Sequence, residues 1–128
     1  MSSSHGFPLS AEQRRIFSLP APAALRVQCA VFVEGPLEPS GLRRAVERLV
    51  ADHEILRTTY RRPPGRKTPF QVILDAPSVR WRVDEVDART DDRVSAARRE
   101  AERLLREESE APLDLESGPI LSVAAARF

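Results

Sequence analysis

The residues best suited to proton chemistry lie together at Asp52, His53 and Glu54, the start of the stretch DHEILRTTY. A catalytic histidine needs a nucleophile against one ring nitrogen and an orienting group against the other. Consecutive residues at the end of a helix point in different directions, so the two flanking carboxylates do not orient the ring. A structural role for His53 is the stronger reading. At a helix C-terminus it interacts well with the dipole and can bond the last carbonyls, or it closes the apolar face formed by Leu42, Val46 and Leu49. The second histidine, His5, lies in the Ser-rich N-terminal stretch. With two dispersed histidines and one cysteine there is no metal-binding spacing. Five scattered glycines form neither a phosphate loop nor a Gly-x-Ser-x-Gly elbow.

Arg61, Arg62, Arg66 and Lys67, flanked by Tyr60 and Phe70, form a small basic cluster that reads as a solvated loop rather than a nucleic-acid site. The 20 basic and 19 acidic side chains nearly balance. No net field draws the whole chain to nucleic acid or to an anionic membrane. Cys29 has no partner for a disulfide and no neighbouring Lys or His to activate it, so it is expected to be a buried small hydrophobe in a reducing compartment. No apolar run approaches the roughly 20 residues of a membrane span, and MSSSHG lacks the parts of a signal peptide. A cytoplasmic protein is the expectation.

The elements that must position these groups follow from periodicity. Residues 1–7 read as a flexible tail. Ser10 and Gln13 have the form of a capping box, predicting a short helix from Ser10 to Leu19 that Pro20 and Pro22 end. LRVQCAVFVE, Leu25 to Glu34, alternates in polarity and predicts an interior strand. After Gly35 and Pro36, Pro39 opens a helix whose stripe is Leu42, Ala45, Val46, Leu49 and Val50. Strands are predicted from Ile55 to Arg62, from Phe70 to Leu74 and from Val79 to Val86. The first two are joined by a hairpin through Pro63–Lys67. Asp91 and Asp92 open a charged helix reaching Glu110, with a stripe of Val94, Ala97, Ala101, Leu104 and Leu105. A last strand begins at Ile120. The order predicts one α+β domain, a two-layer sandwich with helices packed on a mixed sheet.

Three stretches, in order, carry a resemblance. Pro8-Leu9-Ser10-Ala11-Glu12-Gln13-Arg14-Arg15-Ile16-Phe17 is similar to the Ser-x-x-Gln-x-Arg motif that opens condensation domains of nonribosomal peptide synthetases. His53-Glu54-Ile55-Leu56-Arg57-Thr58-Thr59-Tyr60 resembles their Arg-His-Glu-x-Leu-Arg-Thr-x-Phe motif, with Asp52 in place of the first Arg and Tyr60 in place of Phe. Ala111 to Leu121, APLDLESGPIL, resembles Pro-Phe-Asp-Leu-x-x-Gly-Pro-Leu-Leu.

The resemblance implies the N-terminal lobe of a chloramphenicol acetyltransferase-like fold over residues 8–128. It implies peptidyl carrier proteins as partners and no cofactor held directly, the thioesters arriving on the carriers' phosphopantetheine arms. The complete domain would join a donor thioester to an acceptor amine, in antibiotic-type biosynthesis. Its catalytic His-His-x-x-x-Asp-Gly motif has no counterpart in this sequence, so no catalytic residue carries over and the chain is expected to be inactive alone. The supporting set that does carry over is Arg57, as a guanidinium able to hold a carboxylate, with His53, Ser10, Gln13, Arg14 and Gly118 as near-site structural residues. PAPAAL is a shorter link than many family members have, which trims the region near the tunnel mouth. The alternative expectation is a non-catalytic module docking a carrier protein, a tailoring enzyme or a neighbouring subunit. Epimerisation and acyl-transfer relatives share the early motifs. Partners then include the remainder of the domain, or a second copy meeting an exposed apolar face.

Overall fold

The structure, a computed structural model, describes residues 6–22, 25–76, 78–87 and 92–128. Ser10 begins the first helix, α1 (Ala11–Phe17), as a capping box. Its hydroxyl accepts a hydrogen bond from the Gln13 N–H at 3.2 Å, and Gln13 Oε1 accepts one from the Ser10 N–H at 2.8 Å. Two orphaned donors of the first turn are thereby satisfied.

Three short strands form an antiparallel sheet in the order β1-β3-β2: β1 (Gly6–Phe7), β2 (Thr58–Arg61) and β3 (Phe70–Ile73). Gly6 and Phe7, read from the sequence as the end of a tail, pair with Val72 and Gln71. The β2–β3 hairpin turns at Pro63–Arg66, where the Arg66 N–H donates to the Pro63 carbonyl and Gly65 has φ +78°. Proline followed by a glycine at positive φ is the chemistry of a type II turn. Ahead of the sheet, α2 (Pro39–Asp52) starts on Pro39 and buries Val50 fully. A 3-10 turn, Glu54–Arg57, then leads into β2. The sequence predicts strand from Ile55, but Thr58 Oγ1 donates back to the Glu54 carbonyl at 2.8 Å and tightens those residues into a turn.

The second unit is β4 (Arg80–Glu85), α3 (Arg93–Glu110) and β5 (Ser122–Arg127), with β4 and β5 paired in parallel and Val83 opposite Ala125. A parallel pair cannot be closed by a hairpin, so α3 serves as the crossover and lies along β5. Asp92 caps α3 by accepting from the Ser95 N–H at 3.0 Å; Asp91 lies outside the described residues. Arg82 on β4 donates to Asp84 and to Glu107 on α3, each at 2.7 Å. Arg103 on α3 donates to Asp84 at 2.8 Å and to Glu107 at 2.7 Å. Two strand residues and two helix residues thus alternate in charge and lock α3 to the sheet.

The α+β class holds, with the strands divided into one antiparallel and one parallel sheet. Two further expectations fail. Leu25 to Glu34 is not a strand, because among the described residues the backbone groups of residues 26–34 bond to no other backbone group. Cys29 is exposed rather than buried. Alternating polarity gives a strand only when another strand is available to complete the ladder, and among the described residues none pairs with this segment. The packing reflects it: among the described residues the buried apolar side chains are Leu9, Val50, Val72 and Leu104, of which only Val50 and Val72 are fully buried, and the chain exposes 9706 Å². A compact monomer of this mass would expose roughly 6,800 Å². Among the described residues no helix is long and apolar enough to cross a membrane.

The ionic lattice sets a pH response. Hydrogen bonds from Arg82 and then Arg103 hold the Asp84 carboxyl down at about 2. A carboxyl depressed in the folded state stabilises above its unfolded value and loses that contribution as pH falls through the folded one. Wild-type stability is therefore expected to fall more steeply between about pH 4 and pH 2 than that of Asp84→Asn, whose melting temperature at pH 7 is lower by roughly 3 °C. Thermal melts followed by circular dichroism across this range check it; parallel curves would remove Asp84 as the cause.

Candidate functional site

The three motif stretches, far apart in sequence, converge on β2. Gln13 is the first link. Besides capping α1, its side-chain amide donates to Gln71 Oε1 on β3 at 3.1 Å and to the Tyr60 hydroxyl on β2 at 3.4 Å. Gln71 in turn donates to the Pro8 carbonyl at 2.9 Å. Beside this chain of amides, the Phe17 and Tyr60 rings pack with centroids 5.0 Å apart and planes tilted by 46°. Offset, tilted rings at this distance attract through their quadrupoles beyond the area they bury.

The third stretch meets β2 along its backbone, where the Tyr60 N–H donates to the Leu115 carbonyl at 2.7 Å. Asp114 shapes this loop, accepting the N–H groups of Glu116 at 2.9 Å and Ser117 at 3.2 Å as well as the Ser117 hydroxyl. The Ser117 hydroxyl, then the two backbone donors, hold the Asp114 carboxyl below its ordinary value. Gly118 follows with φ +68°, and a Cβ placed there would lie 3.3 Å from Thr59 Cγ2. Backbone conformation and close approach to the buried Thr59 both call for glycine.

Arg57 is turned inward from the junction of the 3-10 turn and β2. One guanidinium nitrogen donates to the Leu74 carbonyl at 2.6 Å, the other to the Ala51 carbonyl at 3.4 Å, and Glu54 stands 4.0 Å away. The side chain is 16% exposed, and its Nε is buried with no hydrogen-bond partner. Two of the guanidinium's five N–H donors go to backbone carbonyls, and with Nε the nitrogen that has no partner the group can take a further acceptor.

The structure distributes the sequence-derived residues unevenly. Ser10, Gln13 and Gly118 belong to the convergence on β2, and Arg57 stands at its foot. Arg14 faces another way, into an open cleft of about 420 Å³ that it shares with Pro8, Leu9, Arg66, Lys67 and Phe70. His53 is the C-cap of α2, its N–H donating to the Leu49 carbonyl at 3.1 Å; the residue is exposed and does not close the apolar face. Tyr60, Gln71 and Leu115 are connections the sequence did not assign. Gln71 carries a signal only in hindsight, as a polar residue midway along the apolar run Phe70–Leu74.

A family model described as Condensation domain matches residues 3–128. This chain belongs to the condensation-domain family. A linear gramicidin synthase of Brevibacillus parabrevis is 31% identical over 119 residues, covering 89% of this chain and 2% of that protein. Phosphinothricin tripeptide synthetase PhsC of Streptomyces viridochromogenes is 31% identical over 125 residues, 94% of this chain and 11% of its own length. Among solved structures, the starter condensation domain of rhizomide synthetase RzmA superposes with a TM-score of 0.66 at 19% identity, covering 94% of this chain and 27% of that one. That likeness establishes the fold. The chain spans about a quarter of the matched structure and a small fraction of the synthetases it resembles.

The double use of Gln13 can be separated by mutation. Gln13→Ala removes cap and bridge and is expected to destabilise by about 2 kcal/mol. Gln13→Glu keeps the acceptor for the Ser10 N–H but loses both donors, and should cost about half as much. Urea denaturation measures both; Gln13→Glu at wild-type stability would show that the bridge to β2 contributes nothing.

Proposed function

We propose that this chain contributes the N-terminal portion of a condensation domain of a nonribosomal peptide synthetase. The complete domain forms an amide bond by attack of an acceptor amine on a donor acyl or aminoacyl thioester, both carried on the phosphopantetheine arms of carrier proteins. The single observation that carries this reading is the convergence of the three motifs on β2, through Gln13 to Tyr60 and Tyr60 to Leu115. Those stretches resemble the family's motifs one by one, and the fold gives them a common purpose. They form a scaffold with no base or nucleophile of its own.

Within that scaffold Arg57 is a positioning residue. Its buried, unused Nε suits a carboxylate delivered by the part of the domain that bears the reacting groups. Two adjacent histidines occur nowhere in the sequence, and a scaffold without them holds two carrier arms in no productive geometry. Arg57, Ser10, Gln13, Gly118 and His53 act by shaping, and the carriers' thiols bring the substrate. A cytoplasmic synthetase setting fits this reading.

The isolated chain, mixed with an aminoacyl-loaded donor carrier and an acceptor carrier, is expected to give no dipeptidyl product above background; product at a catalytic rate would overturn the proposal. In a polypeptide where this chain precedes the rest of a condensation domain, Arg57→Ala is expected to lower amide formation about 100-fold through misplacement of the site. Arg57→Lys should fail to rescue it, because a point charge does not reproduce the planar fork. Mass spectrometry of the carrier-bound products reads each case. Unchanged rates in the Arg57 variants would remove its positioning role while leaving the family assignment intact.

A further inference from the structure

The basic residues of the β2–β3 hairpin read from the sequence as a solvated loop, and the structure adds two things to them. Arg14 of α1 joins Arg66 and Lys67 around a cleft of about 420 Å³. The same cleft is lined by apolar groups, among them Leu9, which is buried, and Phe70, which is half-buried. Its walls are held by contacts already complete within this chain. The Phe70 ring lies directly on Gly6 of β1, the Pro8 carbonyl accepts from Gln71 at 2.9 Å, and the hairpin is closed by the Arg66 N–H on the Pro63 carbonyl.

The charges around the cleft are unbalanced. Among the described residues no carboxylate lines it, and no hydrogen bond or ion pair engages the side chain of Arg14, Arg66 or Lys67. The chain carries no Asp or Glu from Ile55 to Leu74. Arg43, Arg80, Arg82 and Arg103, by contrast, each lie on a carboxylate. Three cations from two distant segments thus share a space of small-molecule size beside an apolar bed. Two guanidinium forks and an ammonium suit the oxygens of a phosphate that carries up to two negative charges, and the bed suits a ring or hydrocarbon attached to it. We propose that this cleft binds an organic phosphate monoester, with the phosphate on Arg14, Arg66 and Lys67 and the apolar group on Leu9 and Phe70. The site gives a role to Arg14, which points away from the convergence on β2, and it stands or falls apart from the amide-forming reading.

The probe is phenyl phosphate, titrated calorimetrically into the whole 128-residue chain. It is expected to bind about 10-fold more tightly than inorganic phosphate, the increment that comes from burying the ring. Arg14→Gln should weaken it about 10-fold. Arg44→Gln, at an exposed cation of α2 outside the cleft, should leave it unchanged. Circular dichroism verifies that both variants fold. Lys67 is the chain's single lysine and so reports on occupancy by itself. With phenyl phosphate at about ten times its Kd, acetylation of Lys67 read by mass spectrometry is expected to slow about 10-fold, while the chain's α-amine reacts as before. Absence of binding overturns the proposal. Equal affinity for inorganic phosphate means an adventitious ion only and overturns it too. So does equal weakening by Arg14→Gln and Arg44→Gln, an unprotected Lys67, or a single-stranded oligonucleotide that binds more tightly than phenyl phosphate. Loss of binding in a polypeptide where the rest of a condensation domain follows this chain likewise overturns it.

Discussion

The side-chain amide of Gln13 is the interaction on which the arrangement of motifs depends. Its oxygen is spent on the Ser10 N–H and its nitrogen on Gln71 and Tyr60. Helix α1 has seven residues and buries none of them fully. A helix that short does not persist in water through its own hydrogen bonds. It stands because one residue closes its first turn and also ties it to the sheet, with Phe17 resting on Tyr60 one turn later. Asparagine lacks the reach for both tasks, and glutamate lacks the donors. The glutamine in the Ser-x-x-Gln motif is thus explained without any reference to chemistry on a substrate.

Much of the fold was legible because its signals are local. The capping box, helices α2 and α3, and the Pro-Pro-Gly turn are each decided within a few residues and appear where local signals place them, although Ala45, Leu49 and Val94 of the predicted stripes are exposed. What pairs with what was not legible. Parallel pairing of β4 with β5 depends on α3 crossing between them, and polarity patterns carry no strand direction. The same gap explains Leu25 to Glu34: alternation reports that a segment could join a sheet, whereas membership depends on a neighbour. Ile55 to Arg57 failed for a smaller reason, a threonine hydroxyl bonding back to Glu54 and favouring a turn over extension.

The candidate site was legible by residue type more than by role. His53 attracted interest for its chemistry and proves to be an exposed helix cap. Arg57 was marked as a guanidinium for a carboxylate, yet two of its nitrogens hold the Leu74 and Ala51 carbonyls and Nε is the one without a partner. Gly118 was recognised as part of a turn, while its closeness to Thr59 depends on a contact 59 residues away in the chain. Long-range contacts of this kind leave no mark on either partner's neighbourhood in sequence.

Together with Gln28, Arg26 joins the segment Leu25 to Glu34 to the end of α3. By donating to the carbonyls of Glu108 and Ala111 it supplies, from outside, the termination that the last turn of α3 would otherwise seek from solvent. Fraying of that turn and release of the segment bearing Arg26 are consequently one opening event, a single cooperative unit in local unfolding. Anything that restrains the segment also lengthens the lifetime of the helix end, and through it the contacts of Glu107 with Arg82 and of Glu108 with Arg80 on β4. An irregular stretch on the surface is in this way coupled to the parallel strands through α3.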